Sequence, residues 1–573
     1  MHILDLIVLL GTLGFIAIYG ILKTRGEKDM DAYLRSSGEK KWWAICLSIM
    51  ATQASAITFI STPGQAYESG MGFLQIYFGL PLAMIVISAV FIPMFYKLNV
   101  YTAYEYLESR FNIQTRQYVA FLFLVSRCLG VGITIYAPAI ILSTILGFNL
   151  NLMCLLIGLV VIAYIYSGGE KAVSKTQMLQ MTVILGGMGV ALVMFIHYLP
   201  SNVSFTDATY LAGKMGKMKI VDTHFDVTNR YNLWAGLLGG FFLHLSYFGT
   251  DQSQVSRYLG GTSVSESKLG LFFNGVVKIP MQFFILFIGV MMFVFFIFNP
   301  SPVFFNNKAL ERANLSREAT QQLTAKEQEH ASIEAQRKAT ALDLLKSRGT
   351  AEEQVNIEKL RDLEEKDKSI RGDVKGILKK YAPGMETKDT DYAFLNFVMN
   401  NLPHGLIGLL LAVMFCAAMS STSGQISSLA STTVVDFYKR SFAKNKTDTH
   451  YVSATKYATL AWGAVAIGFA VSLRLFDNLV QAVNIVGSLF YGTILGVFLV
   501  AFFLKSVKGY ATFWAAIVSE AAILGLFFID SGVHITYLWY NVIAPILVVI
   551  ISLLLNQTIH YLVRPSPSSC GNC

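Results

Sequence analysis

The chain has 573 residues, 54% of them hydrophobic and 14% charged, with a formal net charge of +9 and a mean hydropathy of +0.52. Soluble domains carry about 25% charged residues, so this balance excludes an ordinary soluble enzyme or nucleic-acid-binding protein and points to a chain that lives in a membrane. The apolar runs are roughly 20 residues long, enough to cross a hydrocarbon core about 30 Å thick as helices, and too long and uniform for barrel strands.

In chain order the pattern predicts about thirteen transmembrane helices, near 3–22, 43–66, 73–96, 118–146, 149–167, 175–199, 232–253, 267–299, 402–433, 452–473, 479–504, 511–530 and 535–563. The fold class is therefore an all-α polytopic membrane protein. An odd count puts the termini on opposite sides. Lys23, Arg25, Lys97, Arg110, Lys171, Lys439 and Arg440 gather on one side, whereas the opposite loops near 68–72, 147–150 and 531–534 hold no Lys or Arg. This predicts a multi-pass protein of the plasma (inner) membrane, its amino terminus outside and its carboxyl terminus cytoplasmic. The first run shows no cleavage site. Cys46, Cys128, Cys154 and Cys416 lie in apolar runs, and the terminal Cys570-Gly-Asn-Cys573 has no companion ligands, so neither a disulfide framework nor a metal site is expected.

One segment departs from the pattern. Residues 303–385 are rich in Glu, Lys, Arg, Gln and Ala, with Leu342, Leu344, Leu345, Leu360 and Leu363 at helical spacing and a punctuation at Gly349-Thr350. They predict a hairpin of two amphipathic helices on the extracytoplasmic side. It divides the membrane part into 1–302 (spans one to eight) and 386–573 (spans nine to thirteen). The hairpin reads as a solvated accessory insertion or as a docking point for an extracytoplasmic partner.

Ionisable groups at membrane depth are costly, and Arg127, His244, Asp251 and Lys278 stand out. Two readings are open for Arg127: permanent pairing with a group such as Asp251, or lining of a wet cavity. Glu520 is a fifth case without a specific reading. Polar hydroxyls cluster twice, in "MATQASAITFISTPGQ" (Met50–Gln65) and in "CAAMSSTSGQISSLASTTVVDFYKR" (Cys416–Arg440). Small residues often line helix seams, but these hydroxyls exceed what one seam needs. An alkali cation without a carboxylate cage needs neutral oxygens: hydroxyls, and carbonyls freed where a helix unwinds. Pro63-Gly64 in span two and Gly249-Thr250 in span seven are the expected unwinding points, five spans apart as in an inverted-repeat transporter.

Together with "YTAYEYLESRF", "YAPAIIL", "YSGGEKAVSKTQMLQ" and "SYFGTDQSQVSRYL", these stretches resemble the solute:sodium symporter family over nearly the whole chain outside 303–385. The resemblance implies a leucine-transporter fold, a 5+5 inverted repeat with flanking helices, and Na+ as the co-transported ion. It implies sodium ligands at Ala51, Ala54, Ala417, Ser420 and Ser421, the last two at i+3 and i+4 from Ala417 on one helix face. An acid that holds a second sodium in some members is replaced here by Gln177. Solute-binding residues are implied at Gln53, Ser55, Thr58, Tyr77, Arg127, His244, Lys278 and Asn484, with Tyr247 as an inner gate. Ser55, Thr58 and Arg127 resemble the carboxylate-binding group of the sialic acid members, so the expected activity is sodium-coupled import of a small polar solute such as a sugar acid. A neutral sugar or polyol, or a monocarboxylate, is the alternative solute. A channel predicts a continuous polar stripe and a sensor predicts a further cytoplasmic domain, and no nucleophile–base pair suggests an enzyme.

Overall fold

The structure, a computed structural model, describes residues 2–24, 40–314, 316–382, 389–472, 479–529 and 535–563. The terminal Cys570 and Cys573, and part of the basic loop after the first helix, lie outside these residues. The described residues are helical throughout, apart from loops and one isolated bridge between Lys40 and Gly261. The principal helices are α1 (Ile3–Thr24), α2 (Trp42–Gln53), α3 (Ala56–Ser69), α4 (Leu80–Val86), α5 (Ile92–Leu98), α6 (Ile113–Leu146), α7 (Leu150–His197), α8 (Gly240–Thr250), α9 (Gln252–Leu259), α10 (Val264–Phe298), α11 (Arg317–Lys346), α12 (Glu352–Tyr381), α13 (Thr390–Asn401), α14 (Leu406–Thr432), α15 (Asp448–Ser472), α16 (Leu479–Phe503), α17 (Gly509–Phe528) and α18 (Tyr537–Val563). Local chemistry sets several ends. The Asn112 side chain accepts from the Thr115 N–H to start α6, Ser263 accepts from Glu266 to start α10, and Gly147 (φ +74°) closes α6.

Among the described residues nine segments are long and apolar enough to cross a membrane, and Ile3–Ile16 and Leu150–Ala163 are shorter apolar helices. Set against the thirteen expected, Ala56–Leu98 joins most of span two to span three, and the described parts of spans one and five are the two shorter helices. Spans two and seven are each interrupted. Spans five and six are joined in α7, a continuous helix of 48 residues, where a basic turn was expected. No proline lies between them, and the Gly168-Gly169 pair costs only about 1 kcal/mol per residue in a helix.

The interruptions also fall elsewhere than expected. Pro63 and Gly64 lie inside α3. A methyl group on Gly64 would sit 2.2 Å from the Thr390 carbonyl oxygen, and one on Gly289 would sit 2.1 Å from the Pro63 carbonyl oxygen. The pair is thus a close-packing site for α13 and α10. The break comes earlier, between α2 and α3, where the Ser55 N–H turns to the Gln53 carbonyl (2.9 Å). In span seven the break is at Asp251, extended at φ −79°, ψ 118°, just past Gly249-Thr250. The α2–α3 and α8–α9 pairs pack among α6, α7, α10, α14 and α16.

Within 303–385, α11 and α12 pack on each other and turn at Gly349 (φ +74°). Leu344, Leu360, Leu363, Ile370 and Val374 fill their seam. A buried ionic chain then ties the hairpin to the bundle. His330 Nδ1 lies 2.6 Å from Asp367, Arg371 bridges Asp367 (3.1 Å) and Asp389 (3.5 Å), and Arg337 joins Glu364 (2.6 Å). Glu364 also faces Lys217, whose ammonium donates to the Tyr67 and Glu68 carbonyls (3.0 and 2.7 Å) and so closes the end of α3. At the far end of α14, Arg116 bridges Glu108 and Asp436, both at 2.7 Å.

Burial alone would lower the His330 pKa, but hydrogen bonds to Asp367 and Glu334 outweigh it and raise the value to about 9. A raised folded value stabilises the hairpin fully below the unfolded value near 6.5, and that contribution is lost as pH rises through about 9. Lys217, lowered by burial to about 8, acts in the opposite sense above that pH. Hydrogen-exchange protection of α11, corrected for intrinsic rates, should therefore fall between pH 6.5 and 9 by on the order of 1–3 kcal/mol. The fall should be absent in His330→Gln; an equal fall in that variant would contradict the assignment.

Candidate functional site

A helix that stops at membrane depth exposes backbone groups that need partners. Because Ser55 N–H bonds Gln53, the Ala51 carbonyl loses its helical donor and instead accepts from Ser420 Oγ on α14 at 3.0 Å. At the second break, Asp251 Oδ1 accepts from the Ser253 N–H (2.8 Å) and hydroxyl (2.6 Å), which starts α9. Its Oδ2 meets Arg127 Nη2 from α6 and the Tyr491 hydroxyl from α16. Arg127 also donates to the Tyr491 oxygen. The pairing that was one of two readings for Arg127 is present, at 4% and 2% exposure for Arg127 and Asp251.

Both broken helices border one cavity. Gln53, Ser55, Thr58, Tyr77, Arg127, His244, Lys278 and Asn484 all line it, as does Tyr247. Gln53 donates to Asn274 Oδ1 (3.3 Å), and the His244 ring nitrogen Nε2 lies 3.2 Å from the Ile76 carbonyl. His244 stacks on Tyr77, their ring centres 5.4 Å apart, and the Lys278 ammonium is 5.9 Å from the same tyrosine ring. Lys278 is 2% exposed. No described residue offers it a hydrogen bond or an ion pair. Tyr247 lies 5.4 Å below the Arg127 guanidinium, and its hydroxyl accepts from Gln254 across the second break (2.8 Å).

Of the cation candidates, Ala51, Ala54, Ala417, Ser420 and Ser421 are all buried. Ala51 and Ser420 meet directly. Ser421 Oγ instead leans on the Ala418 carbonyl of its own helix (3.4 Å), and no hydrogen bond among the described residues joins Ala54, Ala417 or Ser421 to the Ala51–Ser420 pair. Gln177 is fully buried on α7, and its amide bonds Ser48 and Thr52 of α2. Sequence reasoning missed Tyr491, Gln425 and Thr134, which also line the cavity. Tyr491 was within reach: it lies seven residues after Asn484, on the same face of α16.

The sodium:solute symporter family model matches residues 33–327 and 374–519, leaving out most of the hairpin. The chain is 25% identical over 558 residues to a sodium/sialic acid symporter of Proteus mirabilis, covering 95% of this chain and 92% of that protein. It is 29% identical over 259 residues to sodium-coupled monocarboxylate transporter 2 of Mus musculus, and 30% over 271 residues to the sodium/iodide cotransporter of Homo sapiens. Those two matches span 41% and 42% of the proteins concerned. Among solved structures, a substrate-bound, outward-open Na+-coupled sialic acid symporter superposes with a TM-score of 0.75 at 22% identity, over 97% of this chain and 98% of that one. The interrupted helices, the shared cavity and these matches agree: the chain belongs to the sodium:solute symporter family, whose members are membrane transport proteins and not enzymes.

Proposed function

We propose that this chain is a sodium-coupled symporter importing a small polar organic solute that bears a carboxylate, as a sialic acid or another sugar acid does. It works by alternating access on a leucine-transporter-like 5+5 inverted repeat of about thirteen spans, with the amino terminus and the hairpin outside. The observation that carries the carboxylate is Lys278: a buried ammonium that lines the cavity with no acidic partner among the described residues. A buried unpaired charge is expensive, and a solute anion offsets that cost when it binds. The likeness to sialic acid symporters along nearly the whole chain supports the same reading. Sodium is assigned to the junction of α2 and α14, with the Ala51 carbonyl and Ser420 hydroxyl at its centre. There the ion would couple to the solute by favouring the state in which the broken helix is ordered, an effect typically of about 1–3 kcal/mol. An inward membrane potential adds about 2.3 kcal/mol per charge per 100 mV.

One observation favours a second reading, a neutral sugar or polyol. Arg127 was the expected carboxylate ligand, yet Asp251 and Tyr491 already engage it, so it needs no solute anion. The two readings separate by competition of uptake with matched pairs, a sugar acid against its neutral sugar. The carboxylate reading predicts that the acid competes at least tenfold better and that Lys278→Met erases the preference. Equal competition in the native protein leaves the neutral reading in its place. Arg127→Ala, by contrast, should lower the yield of folded protein, because it strands the Asp251 carboxylate; normal yield with an intact acid preference would contradict the strut role.

For sodium, Ser420→Ala should raise the concentration giving half-maximal uptake about tenfold, the equivalent of about 1.4 kcal/mol. Ser421→Ala should cost less, since its hydroxyl leans on its own helix. The sodium dependence should have a Hill coefficient near one, because an amide stands at 177. An unchanged half-saturation in well-folded Ser420→Ala removes the assignment, and a coefficient clearly above one points to a second ion.

A further inference from the structure

The last turn of α2 carries the carbonyls next to the first break, and something must keep that turn from fraying. Three hydrogen bonds close a ring over it. Ser48 Oγ donates to Gln177 Oε1 (2.6 Å), Gln177 Nε2 donates to Thr52 Oγ1 (3.1 Å), and Thr52 Oγ1 donates to the Ser48 carbonyl (2.8 Å). Ser48, Thr52 and Gln177 are at most 1% exposed. The amide therefore spans an i, i+4 pair on α2 from the neighbouring helix α7 and uses its oxygen and its nitrogen in doing so. Thr52 lines the cavity and directly follows Ala51, whose carbonyl meets Ser420. The helix ladder ends with the Ala54 N–H on the Met50 carbonyl, after which the Ser55 N–H is diverted to Gln53.

We propose that Gln177 is a positioning residue for sodium: its amide clamps Ser48 and Thr52 so that the Ala51 carbonyl points at the Ser420 hydroxyl before the ion arrives. The proposal rests on the sodium assignment above. Without the clamp, the final turn of α2 has the freedom of an ordinary frayed helix end, and the ion must order it on binding. The cost then appears as weaker sodium binding and not as a different solute preference.

The test uses the purified full-length protein in lipid nanodiscs, melted thermally across a sodium titration, with an organic cation holding ionic strength constant. Sodium that binds only the folded state raises the melting temperature with concentration, and no solute is needed. Gln177→Leu should raise the sodium concentration for half-maximal stabilisation about three- to tenfold, the scale of one or two lost hydrogen bonds. Thr52→Val should do the same, and the double variant should be no weaker than the worse single variant, because both break one ring. Ser48→Ala removes a single hydroxyl and should give a smaller shift in the same direction; it carries the test should Gln177→Leu fail to fold. An unshifted midpoint in Gln177→Leu, or in Ser48→Ala standing in for it, overturns the proposal, and so does full additivity of the two single effects. A shift in Gln177→Leu with none in Ser420→Ala also overturns it, and that pattern identifies the failed premise as the sodium assignment and not the clamp.

Discussion

A helix cannot simply stop inside a membrane, because its open backbone groups find no water there. This protein stops two helices at that depth, and polar residues of neighbouring helices meet the groups those breaks expose. Ser420 serves the Ala51 carbonyl at the first break. At the second, Asp251 caps the restarting helix through Ser253 and is itself neutralised by Arg127 and Tyr491. The breaks come from different chemistry: the first uses neutral oxygens, the second a buried ion pair. A neutral pair of oxygens can exchange one partner for a cation at little cost. An ion pair whose acid also caps a helix is costly to break, since removing either partner leaves an uncompensated buried charge.

That contrast divides the work within the cavity. The Arg127–Asp251–Tyr491 group fixes the wall formed by α6, α8, α9 and α16, and Tyr247 and Gln254 extend it across the break. Lys278 on α10 is different: it faces the cavity beside Tyr77 and His244 with no counter-charge among the described residues. The cavity is therefore lined by one arginine held in an ion pair and one lysine with no acidic partner among the described residues. The hairpin bears on the same helix from its other end, because Glu364 holds Lys217 over the last carbonyls of α3, and the opposite end of α3 lines the cavity through Ser55, Thr58 and Thr62.

The membrane-residing helical class was legible from composition, and the residues of the cavity from costly polarity together with motif resemblance. All eight solute candidates and Tyr247, which the family resemblance implied, line one cavity; for Arg127, His244 and Lys278 the cost of an ionisable group at membrane depth pointed to the same place. The positions of the breaks were less legible. Pro63-Gly64 carries the strongest breaker signal in its span, yet α13 and α10 use it for close approach. The actual break at Ala54–Ser55 has no breaker residue and is held by partners from α7 and α14, which are distant in sequence. Asp251 did carry a local signal, a good N-cap residue two positions before Ser253. The union of spans five and six in α7 was hidden by its basic, glycine-containing middle, which reads as a turn. Arg127 was legible as special but not as engaged, because pairing depends on where Asp251 falls after the break.

The central claim is that the two breaks form one site through which sodium drives a solute inward. Uptake into proteoliposomes, measured for a panel of labelled sugar acids, sugars and monocarboxylates with and without an inward sodium gradient, tests it most directly. The account predicts transient accumulation of at least one sugar acid above its external concentration, only with the gradient, and its collapse when a sodium ionophore dissipates that gradient. Equilibration at the same rate and to the same level with and without sodium would contradict it.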